Sequence, residues 1–193
     1  MRIVTDAIPK EVIEEARSYV MKNMGDFKWQ SSEIMWAPGL KVGINGSCLI
    51  RETPTELREK LASHLSPMLP PHDELAINYH LWQRGSGIAS HNDNTYEFGA
   101  TLYLNEEWNV NYGGIFVWAP IHEETMRALS PTYNTLVIND SQEIHFVTPI
   151  SNESPMFRVT LQIWGKKTTL SLIHISEPTR PERISYAVFC VKK

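Results

Sequence analysis

The second half of the chain constrains the fold most. From Leu75 onward, short apolar or alternating runs recur between turn residues: Leu75 to Trp82, Phe98 to Leu104, Gly114 to Ala119, Thr135 to Ile138, Ile144 to Thr148 and Phe157 to Trp164. Runs of this kind, too short for helices and separated by Gly-, Pro- or Asn-containing connections, read as antiparallel strands of a sandwich or barrel. Ahead of them the period changes. Pro9 is suited to a first helical turn, and Val12, Ile13, Ala16, Val20 and Met24 follow at three-to-four-residue spacing, which predicts an amphipathic helix from about Pro9 to about Asn23. Thr53-Pro54-Thr55-Glu56 combines a cap, a first-turn proline and a capping-box glutamate ahead of Leu57, Leu61 and Leu65, so a second helix is expected to end before Pro70-Pro71. Two helices followed by about seven or eight short strands predict a mainly β fold, a jelly roll with the N-terminal helices packed on one sheet. The expected domain covers 1–169, with a helical part at about 7–68 and the jelly-roll core at about 75–166.

Composition narrows the function classes. The chain has 193 residues, 42% of them hydrophobic, enough for one sizeable core. No apolar run approaches the roughly 20 residues of a spanning helix, and Met1-Arg-Ile-Val-Thr-Asp6 lacks the layout of a secretory signal. No membrane association is expected, and the location is read as cytoplasmic. Cys48 and Cys190 form neither a disulfide framework nor a thiolate metal site, so imidazole and carboxylate must hold any metal. A net charge of -4 without a basic cluster ahead of the last few residues argues against nucleic acid as a partner. Leu170-Ser-Leu-Ile-His-Ile-Ser-Glu-Pro-Thr-Arg180 and Ile184-Ser-Tyr-Ala-Val-Phe-Cys190 look like a translated sequencing adapter. Residues 170–193 are therefore read as a non-native tail and set aside.

His91-Asn92-Asp93 places an imidazole and a carboxylate at i and i+2, on one face of an extended segment. His145, at the start of an apolar run, is the candidate third ligand. Two histidines and a carboxylate on one face of an octahedral ion leave the opposite face open, as non-haem Fe(II) needs for a co-substrate and oxygen. His72-Asp73-Glu74 and His122-Glu123-Glu124 offer similar pairs but lie in stretches that read as surface loops. On the last strand Val159, Leu161 and Ile163 alternate with Arg158, Thr160, Gln162 and Trp164. Arg158 offers a planar bidentate donor to a carboxylate, with the Thr160 hydroxyl beside it. Periodicity alone favours an edge strand with this polar side in water. His64 and His80 read as partly buried structural residues, Trp29 and Trp36 as core anchors or, with Pro38-Gly39, a lid. Asn94-Thr95-Tyr96-Glu97 is a candidate substrate-facing turn.

His91-x-Asp93, His145 and Arg158-x-Thr160 in that order resemble the Fe(II)/2-oxoglutarate-dependent dioxygenases. Ala100-Thr-Leu-Tyr-Leu-Asn105-Glu-Glu-Trp108, Gly113-Gly114 and Arg158-Val-Thr-Leu-Gln-Ile-Trp164 are similar to the prolyl 4-hydroxylase-like branch. The resemblance spans roughly Leu75 to Gly165. It implies a double-stranded β-helix with Fe(II) on His91, Asp93 and His145, and 2-oxoglutarate on the iron with its far carboxylate on Arg158 and Thr160. It further implies consumption of O2, ascorbate as reductant, and hydroxylation of a peptidyl, possibly prolyl, or small-molecule C–H bond with release of succinate and CO2. Asp93 fits hydroxylation, because related halogenases replace this carboxylate with a small residue. Relatives place a tyrosine about ten residues before the first histidine, where this chain has Leu81, with Tyr79 two earlier. A second tyrosine is replaced by Leu102, leaving Tyr103. Tyr79 and Tyr103 are thus the candidate co-substrate tyrosines. Two alternatives stay open: a cupin-like metal protein that does not use 2-oxoglutarate, and a non-enzymatic jelly-roll binding protein. The oligomeric state is not legible.

Overall fold

The computed structural model describes residues 1–36 and 43–167; Pro38-Gly39 and the adapter-like stretch at 170–193 lie outside them. The chain runs β1 (Arg2–Val4), α1 (Lys10–Lys22), β2 (Gln30–Ser31), α2 (Ser32–Met35), β3 (Ile44–Asn45), β4 (Cys48–Glu52) and α3 (Thr55–Leu65). There follow β5 (Glu74–Trp82), β6 (Gly87–His91), β7 (Phe98–Tyr103), β8 (Phe116–Ala119), β9 (Arg127–Leu129), β10 (Leu136–Asn139), β11 (Ile144–Val147) and β12 (Arg158–Lys166). These strands form two antiparallel sheets, one ordered β1-β10-β7-β12-β5-β4-β2 and the other β3-β6-β11-β8-β9. Neighbours distant in sequence make this the jelly roll that the strand spacing predicts. Among the described residues no helix is long and apolar enough to cross a membrane.

Two apolar layers result. Val12, Ile13, Ala16 and Val20 of α1 and Leu57, Leu61 and Leu65 of α3 are buried, one stripe per helix. Both stripes pack on the outer face of the larger sheet, against Ile77, Tyr79 and Leu81 of β5, Leu102 of β7 and Val159, Leu161 and Ile163 of β12. Each such large aliphatic side chain contributes about 1.5–3 kcal/mol by leaving water. A second cluster, with Ile50, Trp82, Ile88, Tyr103, Phe116, Trp118 and Val147, fills the space between the sheets.

Three expectations differ from the structure. β12 is not an edge strand: it lies between β5 and β7, so its polar side faces the other sheet rather than water. Period-two alternation sets the two faces of a strand but says nothing of its place in a sheet. The capping box at Thr53 does not form, because Pro54 takes the cap position of α3 and the buried Thr53 hydroxyl has no partner among the described residues. Nor is the N-terminal part simply helical, since β1, β2 and β4 extend the larger sheet and β3 the smaller one. These strands are two to five residues long, too short to show a period.

Candidate metal centre and co-substrate pocket

β6 and β11 pair antiparallel with His91 opposite His145, which sets the two imidazoles side by side with ring centroids 4.3 Å apart. Asp93 lies just past the end of β6, in a turn closed by Tyr96 N–H donating to the Asp93 carbonyl at 2.9 Å. Its carboxylate lies over Gly99 of β7, where a Cβ would come within 2.9 Å of Asp93 Cγ. Glycine is therefore what admits the acid. Asp93 Oδ2 is 3.7 Å from His145 Nε2, and one ligating atom from each of the three residues lies within 4.8 Å of the others. Bonds of about 2.1 Å to one ion would set adjacent ligand atoms about 3 Å apart, so the three side chains must draw together around it. The Nδ1–H groups are committed to carbonyls, His91 to Ala89 at 2.8 Å and His145 to Glu143 at 3.0 Å. That tautomer leaves each Nε2 lone pair for a metal. Burial, and next the neighbouring His145, hold His91 below the ordinary imidazole pKa, in the neutral form that ligates.

From this cluster a cavity runs between the sheets to Arg158, lined also by Trp36, His80, Trp82 and Trp164. Register fixes its wall. Arg158 stands opposite Trp82, and Thr160 stands between His80 of β5 and Tyr103 of β7. Arg158 is only 2% exposed, yet no carboxylate among the described residues pairs with it and its Nε has no partner. Its guanidinium carbon lies 5.2 Å from the Tyr103 ring centre and 5.8 Å from that of Trp82, and Nη2 donates to the Tyr103 hydroxyl at a long 3.5 Å. A buried unpaired cation costs several kcal/mol, a cost that a bound anion removes. Burial pushes the guanidinium pKa down, and the Thr160 hydroxyl is likewise buried without a partner. Gly114, at φ +63°, leaves room for this arginine, since a Cβ there would meet Arg158 Cδ at 2.9 Å.

The structure thus gathers His91, Asp93, His145 and Arg158 around one cavity, with Tyr103 buried against Arg158 and Thr160 opposite Tyr103 in register. Tyr79 does not join them. It faces the helices on the opposite side of β5, stacks on Tyr19 and donates its hydroxyl to the Ala16 carbonyl at 3.0 Å. Counting back from His91 crosses the β5–β6 turn and loses the parity of the strand. Alternation along β5 places His80 and Trp82 inward instead. His80, read from sequence as structural, is 1% exposed and lines the cavity. The apolar run Ile77, Tyr79, Leu81 carried that signal. Trp36 lines the cavity while Trp29 packs against the outer core, and His72 and His122 stand apart from the cluster. A larger hollow of about 810 Å³, lined by Arg17, Met21, Met24, Met156 and Phe157 among others, shares no residue with the cavity.

Residues 75–166 match the sequence model of the 2OG-Fe(II) oxygenase superfamily. They form a 2OG-Fe(II) oxygenase domain. The domain's family implies Fe(II), 2-oxoglutarate and O2, and the residues present fit them: two imidazoles and one carboxylate suit Fe(II), and the orphaned Arg158 suits a carboxylate. No curated protein matches the chain by sequence. Solved structures share its fold. A prolyl hydroxylase from Trichoplax adhaerens, in complex with a hypoxia inducible factor peptide fragment, matches at TM-score 0.70 and 16% identity over 86% of this chain and 83% of its own. A Pseudomonas putida prolyl-4-hydroxylase matches at TM-score 0.64 and 16% identity, over 86% and 92%. A viral collagen prolyl hydroxylase from Paramecium Bursaria Chlorella virus-1 matches at TM-score 0.60 and 9% identity, over 86% and 96%.

Proposed function

We propose that this 2-oxoglutarate-dependent oxygenase hydroxylates an unactivated C–H bond of an uncharged peptidyl group, a prolyl ring among the candidates, or of a neutral small molecule. His91, Asp93 and His145 hold the iron through Nε2, a carboxylate oxygen and Nε2, and Arg158, Thr160 and Tyr103 receive the distal carboxylate of 2-oxoglutarate. Bound together, iron and 2-oxoglutarate supply an oxidant from O2, with succinate and CO2 as the products of the co-substrate; ascorbate serves as reductant.

The observation that carries this reading is Arg158, a buried guanidinium without an acid partner among the described residues, in the same cavity as the three metal donors. A metal protein without 2-oxoglutarate would leave that charge uncompensated. The chain's own residues then have distinct tasks. Ala89 and Glu143 carbonyls fix the tautomers of His91 and His145, and Gly99 leaves space for Asp93. Trp82 and Tyr103 flank Arg158 and keep water from the carboxylate it receives. A hollow that shares Trp36, His80 and Trp164 with the cavity, and is lined also by Met35, Asn78, Thr95 and Tyr96, carries among the described residues no acidic or basic side chain other than the neutral His80. Such a wall desolvates an acidic or basic group without compensating it, which favours a neutral substrate. The segment Asn94 to Glu97 contributes Thr95 and Tyr96 to this hollow, in support of its substrate-facing role.

The test is a peptide library, with proline-containing and proline-free members, incubated with the chain, Fe(II), 2-oxoglutarate and ascorbate in air. Products gaining one oxygen atom, with succinate formed in equal amount, are expected from members that present an uncharged side chain. Oxygen transfer confined to acidic or basic members would refute the substrate assignment.

A further inference from the structure

Among the described residues, His80 is the one ionisable side chain of the cavity wall for which neither the metal cluster nor Arg158 provides a role. It lies mid-strand on β5 among indoles, with ring centroids 5.5 Å from Trp164, 5.7 Å from Trp36 and 6.2 Å from Trp82. Both ring nitrogens are buried and neither has a hydrogen-bond partner among the described residues. A neutral imidazole carries one donor and one acceptor, and leaving both unmade among buried indoles is costly. Buried polar groups of this kind ordinarily have a partner, so the missing one belongs to a ligand.

Register identifies the ligand atom. His80 is directly opposite Thr160, whose hydroxyl is also orphaned, and Arg158 with its orphaned Nε is the next inward residue on β12. Directly opposite side chains have Cβ atoms only about 5 Å apart, so one carboxylate can touch both. Resting on the co-substrate reading above, we infer that His80 is a co-substrate-binding residue, donating its N–H to the distal carboxylate that Arg158 and Thr160 hold. Three donors from two adjacent strands then surround that group. Burial and the charge of Arg158 push the His80 pKa down to about 3, so it donates as a neutral imidazole.

The test uses the full chain with Mn(II) in place of iron and follows ligand binding by tryptophan fluorescence, with 2-oxoglutarate and with pyruvate, a 2-oxo acid without the distal carboxylate. His80→Phe should weaken 2-oxoglutarate about tenfold or more, the scale of one hydrogen bond to a charged group. Mn(II) and pyruvate binding should not change, and His80→Gln, which keeps a donor, should recover part of the loss. In the wild-type chain with Zn(II) and ¹⁵N-labelled histidine, 2-oxoglutarate should protect the N–H of one imidazole other than His91 and His145. Unchanged 2-oxoglutarate affinity in both variants, equal loss of pyruvate, or no newly protected imidazole in the wild type would overturn the inference, the last even where a variant does not fold. Failure of the wild type to bind 2-oxoglutarate, or undiminished binding by Arg158→Gln, would instead overturn the functional reading on which it rests.

Discussion

Gly99→Ala should weaken iron binding about 10–100-fold without replacing a ligand. An added methyl would lie 2.9 Å from Asp93 Cγ and 3.4 Å from Asp93 Cβ, with Oδ2 closer still. Non-bonded carbons settle at about 3.5–4.0 Å, so the carboxylate must retreat by roughly 0.6 Å or more. Metal–ligand distances tolerate only about ±0.2 Å. Asp93 is buried and Gly99 lies on an interior strand of the larger sheet, paired with Asn139 of β10 and Trp164 of β12, so the backbone cannot yield instead. Displaced ligand geometry of this kind costs about 10–100-fold in metal affinity, or roughly 1.4–2.7 kcal/mol. The assay is competition for Fe(II) against a chelator under argon, with the thermal midpoint of the metal-free protein as a control for folding. Wild-type iron affinity in a folded Gly99→Ala protein would refute the assignment of Asp93 as a ligand in this position.

Gly114→Ala should raise the Kd for 2-oxoglutarate about tenfold while leaving iron content intact, because its methyl meets Arg158 Cδ at 2.9 Å and φ is +63°; calorimetric titration checks it. Tyr79→Phe should cost about 1 kcal/mol of stability in urea unfolding, from the lost hydrogen bond to Ala16, and leave 2-oxoglutarate affinity unchanged. The metal-free chain should lose stability as the pH falls. Folded His80 stays neutral down to about pH 3 whereas the unfolded side chain protonates near the ordinary imidazole value of 6.5. The unfolded state therefore binds the extra proton between those values, and the contribution of His80, fully present above about pH 7.5, declines by about 2 kcal/mol from there to about pH 5. His80→Phe should remove that part of the slope in urea titrations across this range.

Strands β5, β7, β8, β10, β11 and β12 are legible because each combines apolar residues with a clear turn signal at its ends. β6 is not, since Gly87-Ile-Ala-Ser-His91 has one strongly β-forming residue and polar neighbours. The metal cluster is legible from the order of His91, Asp93 and His145, but the pairing of His91 with His145 depends on β6 joining β11, a contact between segments over 50 residues apart. Thr53 misleads because a capping box is a local pattern, and Pro54 shifts the helix start by one residue. Tyr79 and His80 differ by one position, and on a strand one position exchanges the helix-facing side for the cavity. Applying to β5 the alternation that sorts β12 would have assigned both. What sequence lacks is the closure of the sheet around β12, which turns a polar strand face into the wall of a buried site.

The most direct test is succinate formation from 2-oxoglutarate by the purified chain with Fe(II) and ascorbate in air, beside Asp93→Ala and Arg158→Ala. Succinate from the wild type, lost with Asp93→Ala through failure to retain iron and with Arg158→Ala through failure to bind 2-oxoglutarate, is the expected result. Undiminished succinate formation by both variants would contradict the site described here.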